Sequence, residues 1–123
     1  MTLHRQAPLI LLVDDEPLIR MTAADMLEDA GFRTIEASSA DEAIRILEER
    51  MDVALVMTDI QMPGSMDGLK LAAAVQRRWP PVRLIVTSGR FRPEADELPP
   101  GAAFVPKPYD SHTIHTHIRQ LLA

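Results

Sequence analysis

Leu9-Ile10-Leu11-Leu12-Val13-Asp14-Asp15-Glu16-Pro17 is the stretch that decides the fold. Five apolar residues follow one another without alternation, the mark of a strand covered on both faces, as in a parallel sheet flanked by helices. The run then breaks into three acids and a proline. Pro17 suits the first turn of a helix, and Ile19, Ala23, Met26, Leu27 and Ala30 recur on one helical face before Gly31 can close it. Strand, acidic turn and helix in this order form the opening half of a βα unit.

Outward from this unit the same alternation repeats. Residues 32–37 read as a second strand, and Ser39 with Glu42 three positions on is a capping box that opens a helix reaching residue 50. Residues 53–58 make a third strand that ends against Asp59, and the loop 61–66 leads to a helix over 67–79, stopped by Pro80-Pro81. Residues 83–87 and 103–105 are the fourth and fifth strands, and a last helix starts near Asp110 and buries Ile114, Ile118 and Leu121. Between those strands, residues 91–101 hold Pro93, Pro99 and Pro100 without a convincing apolar stripe, so a fourth helix is expected to be short or absent. The expectation is one α/β domain over residues 1–123, a doubly wound five-stranded parallel sheet, with residues 1–7 a flexible start.

Composition narrows the function. At 123 residues the chain suits one core, and its lack of cysteine excludes disulfides, thiolate zinc sites and cysteine nucleophiles. A net charge of −5 works against direct nucleic-acid binding, which the sparse Arg77-Arg78 and Arg90/Arg92 pairs do not reverse. The longest apolar run, residues 9–13, is far short of the roughly 20 residues a membrane helix needs. The N-terminal residues lack an apolar signal core, so the protein is expected in the cytosol, with no membrane partner.

In a parallel sheet every strand's C-terminal end lies along one rim, and ligands bind outside that rim. Asp14 and Asp15 follow the first strand, Asp59 the third, Ser88 the fourth and Lys107 the fifth. Carboxylates gathered there repel by about 4 kcal/mol per pair at 4 Å with an effective dielectric near 20. A bound cation removes that repulsion, and an all-oxygen site suits Mg2+. Lys107 and Ser88 would then hold phosphoryl oxygens, as a compact cation and a hydroxyl donor.

Leu11-Leu12-Val13-Asp14-Asp15, Thr58-Asp59-Ile60-Gln61-Met62-Pro63, Asp67-Gly68, Thr87-Ser88-Gly89 and Lys107-Pro108-Tyr109 together resemble the receiver domain of two-component response regulators. The resemblance spans nearly the whole chain and implies a flavodoxin-like fold. It implies that Asp59 is the phosphoacceptor for a histidine kinase or phosphotransfer protein. Asp14, Asp15, Asp59 and the backbone carbonyl of Gln61 would hold Mg2+, and Lys107 would contact the phosphoryl group, with a cis bond before Pro108. It also implies a switch in which Ser88 moves toward the phosphate and Phe104 repacks, informing a downstream protein whose identity, like the oligomeric state, stays open. Gln61 and Arg90, each two residues beyond a site position, are expected to tune the lifetime of the phosphoryl group. The loop 63–68 is one residue longer than the family's usual form, and the span from Ser88 to Lys107 is shorter.

Each residue also has a plainer reading. The acids at 14–16 would suit any helix N-terminus, Asp59 any turn, and Lys107 any solvated loop; Thr87 is a rival to Ser88. His112, His115 and His117 are expected to be exposed residues of the last helix, and the methionines core filler. The function expected is a signalling phosphoacceptor that catalyses only its own phosphorylation and dephosphorylation. A phosphate sink, or a receiver fragment of a larger regulator or hybrid kinase, is the alternative. A stand-alone Mg2+-dependent aspartyl-phosphate phosphatase would need a cap and a further acid/base carboxylate.

Overall fold

The computed structural model describes residues 7–64, 66–90 and 92–123. Its parallel strands are β1 (Leu9–Val13), β2 (Arg33–Ala37), β3 (Val53–Asp59), β4 (Arg83–Ser88) and β5 (Ala103–Pro106), laid side by side in the order β2-β1-β3-β4-β5. Among the described residues the α-helices are α1 (Pro17–Asp29), α2 (Ala40–Glu49), α3 (Gly68–Arg78) and α4 (Ser111–Leu122). The chain reverses direction of travel across the sheet after β2, which puts a topological switch point beside β1 and β3. Of the start expected to be flexible, residues 1–6 lie outside the described residues, whereas the Ala7 carbonyl accepts a hydrogen bond from Arg33 Nε at 2.8 Å.

The unalternating first strand divides its residues between two cores. Leu9, Leu11 and Val13 face α2 and α3, while Ile10 and Leu12 face α1 and α4. Ile114 and Ile118 of α4, 1% and 0% exposed, each contribute roughly 2 kcal/mol by leaving water. The first helix departs from its expected stripe: Ala23, Ala24 and Leu27 are buried, but Ile19 is 38% exposed and Leu18 79%. Apolar spacing in its first turn is therefore not core spacing. The histidines of α4 depart too, since only His112 is exposed, and His115 packs its ring against Phe32 at 5.6 Å between centroids.

Local chemistry fixes the ends. Ser39 Oγ accepts from the Glu42 amide at 3.1 Å, and the Glu42 carboxylate reaches back to the Ser38 amide at 2.6 Å, one residue earlier than the usual reciprocal cap. Gly31 turns the chain out of α1 with φ +98°, a left-handed conformation that glycine adopts without strain. Between β4 and β5 the only regular element among the described residues is a single 3-10 turn, Ala95–Glu97, closed by reciprocal bonds of Glu94 and Glu97. Proline spacing thus limits this connection to less than a full α-helical element, and Gln76 Nε2 on α3 ties it down through the Pro100 carbonyl at 3.0 Å.

Candidate functional site

Strand register assembles the site. Val13 pairs with Thr58 across β1 and β3, after a shift between Leu9 and Ile10, so Asp14 emerges next to Asp59. Asp59 pairs with Thr87, and Ser88 with Pro106, which sets Ser88 and Lys107 on the same rim. Gly68 opens α3 directly beneath this rim: its amide donates to the Ile60 carbonyl at 2.9 Å, and a Cβ there would collide with the Asp59 carbonyl. A glycine is therefore required by space rather than by backbone angle.

One oxygen from each of Asp14, Asp15 and Asp59 lies within 4.8 Å of the others, a grouping able to hold a metal ion. Asp14 and Asp59 are 5% and 7% exposed. Lys107 Nζ stands 3.3 Å from Asp14 Oδ2 and 3.6 Å from Asp59 Oδ1, one cation among three carboxylates. Burial pushes the Asp59 carboxyl above its ordinary value, Lys107 partly opposes that, and the charge of Asp14 adds to it. The donor set is hard oxygen throughout, which fits a divalent cation such as Mg2+ rather than a thiophilic metal.

Backbone donors hold the acids in place. Asp14 Oδ1 accepts from the Glu16 amide at 2.9 Å, and Asp59 Oδ1 from the Ile60 amide at 3.0 Å. The Lys107–Pro108 peptide is cis, and the Lys107 amide donates to the Ser88 carbonyl at 2.9 Å. Thr87 spends its hydroxyl on the Thr58 carbonyl in the core, at 3.5 Å, while Ser88 Oγ meets Gln61 Oε1 at 2.9 Å and the Arg90 amide at 3.2 Å. Phe104 is half-buried against the core shared with α2 and α3, and the Arg92 guanidinium lies 5.6 Å above its ring.

Three interactions at the site carry no signal in the sequence, although Gln61 and Tyr109 are themselves singled out there. Arg20, on α1, donates Nη1 to the Asp14 carbonyl at 2.7 Å and pairs Nε with Glu36 at 2.9 Å, bracing the acidic turn from a helix and a neighbouring strand. Tyr109 is half-buried near the acids, and that burial, followed by the charges of Asp14 and Asp59, pushes its hydroxyl up to about 12. It therefore stays protonated near neutral pH. The third is that of the Gln61 side chain, which reaches Ser88 although Gln61 itself is exposed. Arg20 lies on an exposed helical stretch and Gln61 in a loop, where local spacing carries no sign of the partner.

Comparison with known proteins gives one answer. Residues 10–119 match the model of the response regulator receiver domain. The sensor kinase CckA of Brucella abortus (strain 2308) is 34% identical over 117 residues, which cover 92% of this chain and 12% of that protein. The response regulator receiver protein of Sinorhizobium medicae WSM419 superposes with a TM-score of 0.88 at 31% identity, covering 95% of each chain. The response regulator protein TrrA of Thermotoga maritima, in complex with Mg(2+)-BeF, gives 0.82 at 25% identity over 94% of this chain and 99% of that one. Since the match begins inside β1 and ends inside α4, it reaches all five strands and every described helix, and the chain belongs to the response regulator receiver domains.

Proposed function

We propose that the protein accepts a phosphoryl group on Asp59 from a histidine kinase or phosphotransfer protein, in a reaction that needs Mg2+, and that it signals through a shift in the packing of Ser88 and Phe104. The observation that carries this reading is the buried Asp59 carboxylate at the switch point, with two further carboxylates within 4.8 Å and one lysine facing it. Asp14, Asp15, Asp59 and the Gln61 carbonyl would hold the cation. When bound, Mg2+ neutralises the acids and draws charge from the phosphoryl oxygens.

The chain's own residues supply position and charge. Asp59 is oriented by the Ile60 amide, and Lys107 reaches over it to neutralise an incoming phosphoryl oxygen. Ser88 offers a hydroxyl at the neighbouring strand end. Gln61 and Arg90 flank that hydroxyl, which supports a role for both in setting how long the phosphoryl group survives. The complex of the Thermotoga maritima relative with Mg(2+)-BeF supports the choice of cation.

Delivery by a protein partner is supported by a groove of about 590 Å³ beside Lys107, lined by Leu18, Ile19, Met26, Pro108 and Tyr109. The exposed Leu18 and Ile19 of α1 have a use there that the core does not give them. A role as a receiver module within a longer regulator or hybrid kinase is favoured by the small share of CckA that the chain spans, 12%. No helix among the described residues is long and apolar enough to cross a membrane.

Incubation with acetyl phosphate and Mg2+ tests the assignment, with intact mass and peptide mapping as the measurement. One phosphoryl group should appear on Asp59, and none on Asp59→Asn or in excess chelator. Undiminished labelling in either control would overturn it.

A further inference from the structure

We propose that Gln61 is a positioning residue that latches Ser88 in the resting protein, so that the phosphoryl group must displace a side chain before the hydroxyl can respond. The inference rests on Asp59 being the phosphoacceptor and adds a resting-state restraint to it. Gln61 sits on the exposed loop after β3, whereas Ser88 is 3% exposed at the end of β4. Their side chains nevertheless meet across the mouth of the site at 2.9 Å, although 27 positions separate them in the chain. The Arg90 amide, donating to the same Oγ at 3.2 Å, fixes the hydroxyl from the other side.

The consequence follows from counting protons. A serine hydroxyl has one proton to donate, and here it points to Gln61 Oε1. A phosphoryl oxygen on Asp59 needs that same proton, so Gln61 and the phosphoryl group compete for Ser88. The neighbouring Thr87 hydroxyl cannot substitute, because it is spent on the Thr58 carbonyl inside the core. A neutral hydrogen bond of ordinary net strength biases such a choice about fivefold. The resting state is thereby held by a contact outside the acidic cluster, and its strength can be changed without touching a carboxylate or Lys107.

Side-chain couplings at Ser88, measured by NMR on the unphosphorylated protein without phosphodonor, test the latch independently of Asp59 chemistry. The wild type should show one Ser88 rotamer, and Gln61→Met, which keeps the length but removes the acceptor, should show averaging. Gln61→Asn, too short to reach, should behave like Gln61→Met, while Gln61→Glu, with an oxygen at the original reach, should restore the single rotamer. After phosphorylation with acetyl phosphate and Mg2+, Gln61→Met should raise the ratio of switched to resting protein about fivefold. That gain should vanish in the Ser88→Ala background. An unchanged rotamer in both Gln61→Met and Gln61→Asn, or an equal gain with and without Ser88, would overturn the latch. Failure of phosphorylation itself would instead strike at the Asp59 assignment and leave the rotamer result standing.

Discussion

The two rims of the sheet handle charge in opposite ways. At the N-terminal rim, Arg50 pairs with Asp52 at 2.7 Å and Arg78 with Glu48 at 2.7 Å, every side chain more than 40% exposed. Each of these two cations has one acid, and water screens what remains. At the C-terminal rim, three acids crowd one lysine, and two of the acids are nearly out of water. Pairs of the first kind can be lost at little cost. The second arrangement is unfavourable without a ligand, so its persistence in the fold points to use.

Glycine substitutions include the largest single effect expected at either rim. Gly68→Ala should cost about 3 kcal/mol in urea unfolding, since the added methyl meets the Asp59 carbonyl and α3 must move away from the rim. Gly31→Ala, at the far end of α1 with no heavy atom within 4 Å of the new methyl, should cost only the strain of its positive φ, about 1 kcal/mol. Equal costs would mean that the C-terminal rim tolerates backbone displacement and that its tight packing is incidental.

Metal should distinguish the rims next. Mg2+ at about a hundredfold its dissociation constant should stabilise the wild type by about 2.7 kcal/mol. The gain should be lost in Asp14→Asn and kept in Asp52→Asn, as thermal melts with and without chelator would report. Stabilisation that survives Asp14→Asn would place the cation elsewhere.

The smallest contrast is in pH dependence, measured in chelator. Folded Asp59 holds its proton more tightly than the unfolded chain, chiefly because it is buried. Its contribution to stability is present below the ordinary value of 3.8 and is lost as pH rises through the raised one. Asp59→Asn should therefore melt a few degrees higher than the wild type at neutral pH. Asp52 has the reverse sign: the bond from Arg50 lowers its carboxyl to about 2, so its contribution is present above 3.8 and fades as pH falls through about 2. Asp52→Asn should flatten the acid limb alone, by an amount close to the limit of detection for an exposed pair.

What could be read from the sequence was whatever one segment encodes by itself. The unalternating residues 9–13, the Ser39 and Asp110 caps and the double proline at 80–81 fix strands and helix ends through neighbours a few positions away. Proline content likewise anticipated the reduced connection before β5. Convergence of the acids on one rim also follows, because parallel topology alone brings strand ends together. Contacts that depend on register and rotamer do not follow. Nothing near Gln61 signals Ser88, and nothing near Arg20 signals Glu36 or the Asp14 carbonyl. The exposed Ile19 shows the converse failure, where apolar periodicity is satisfied by a groove rather than by the core.

The outermost strands have a consequence for how the protein behaves when concentrated. A parallel sheet ends in two strands with unpaired backbone groups, each a template on which another chain can add. Here β5 is only four residues long and finishes in Pro106, which has no amide to offer, and β2 carries Arg33 and Glu36. Short length, a missing donor and charge each discourage strand addition by a second molecule. The sheet thus resists growing sideways into aggregates.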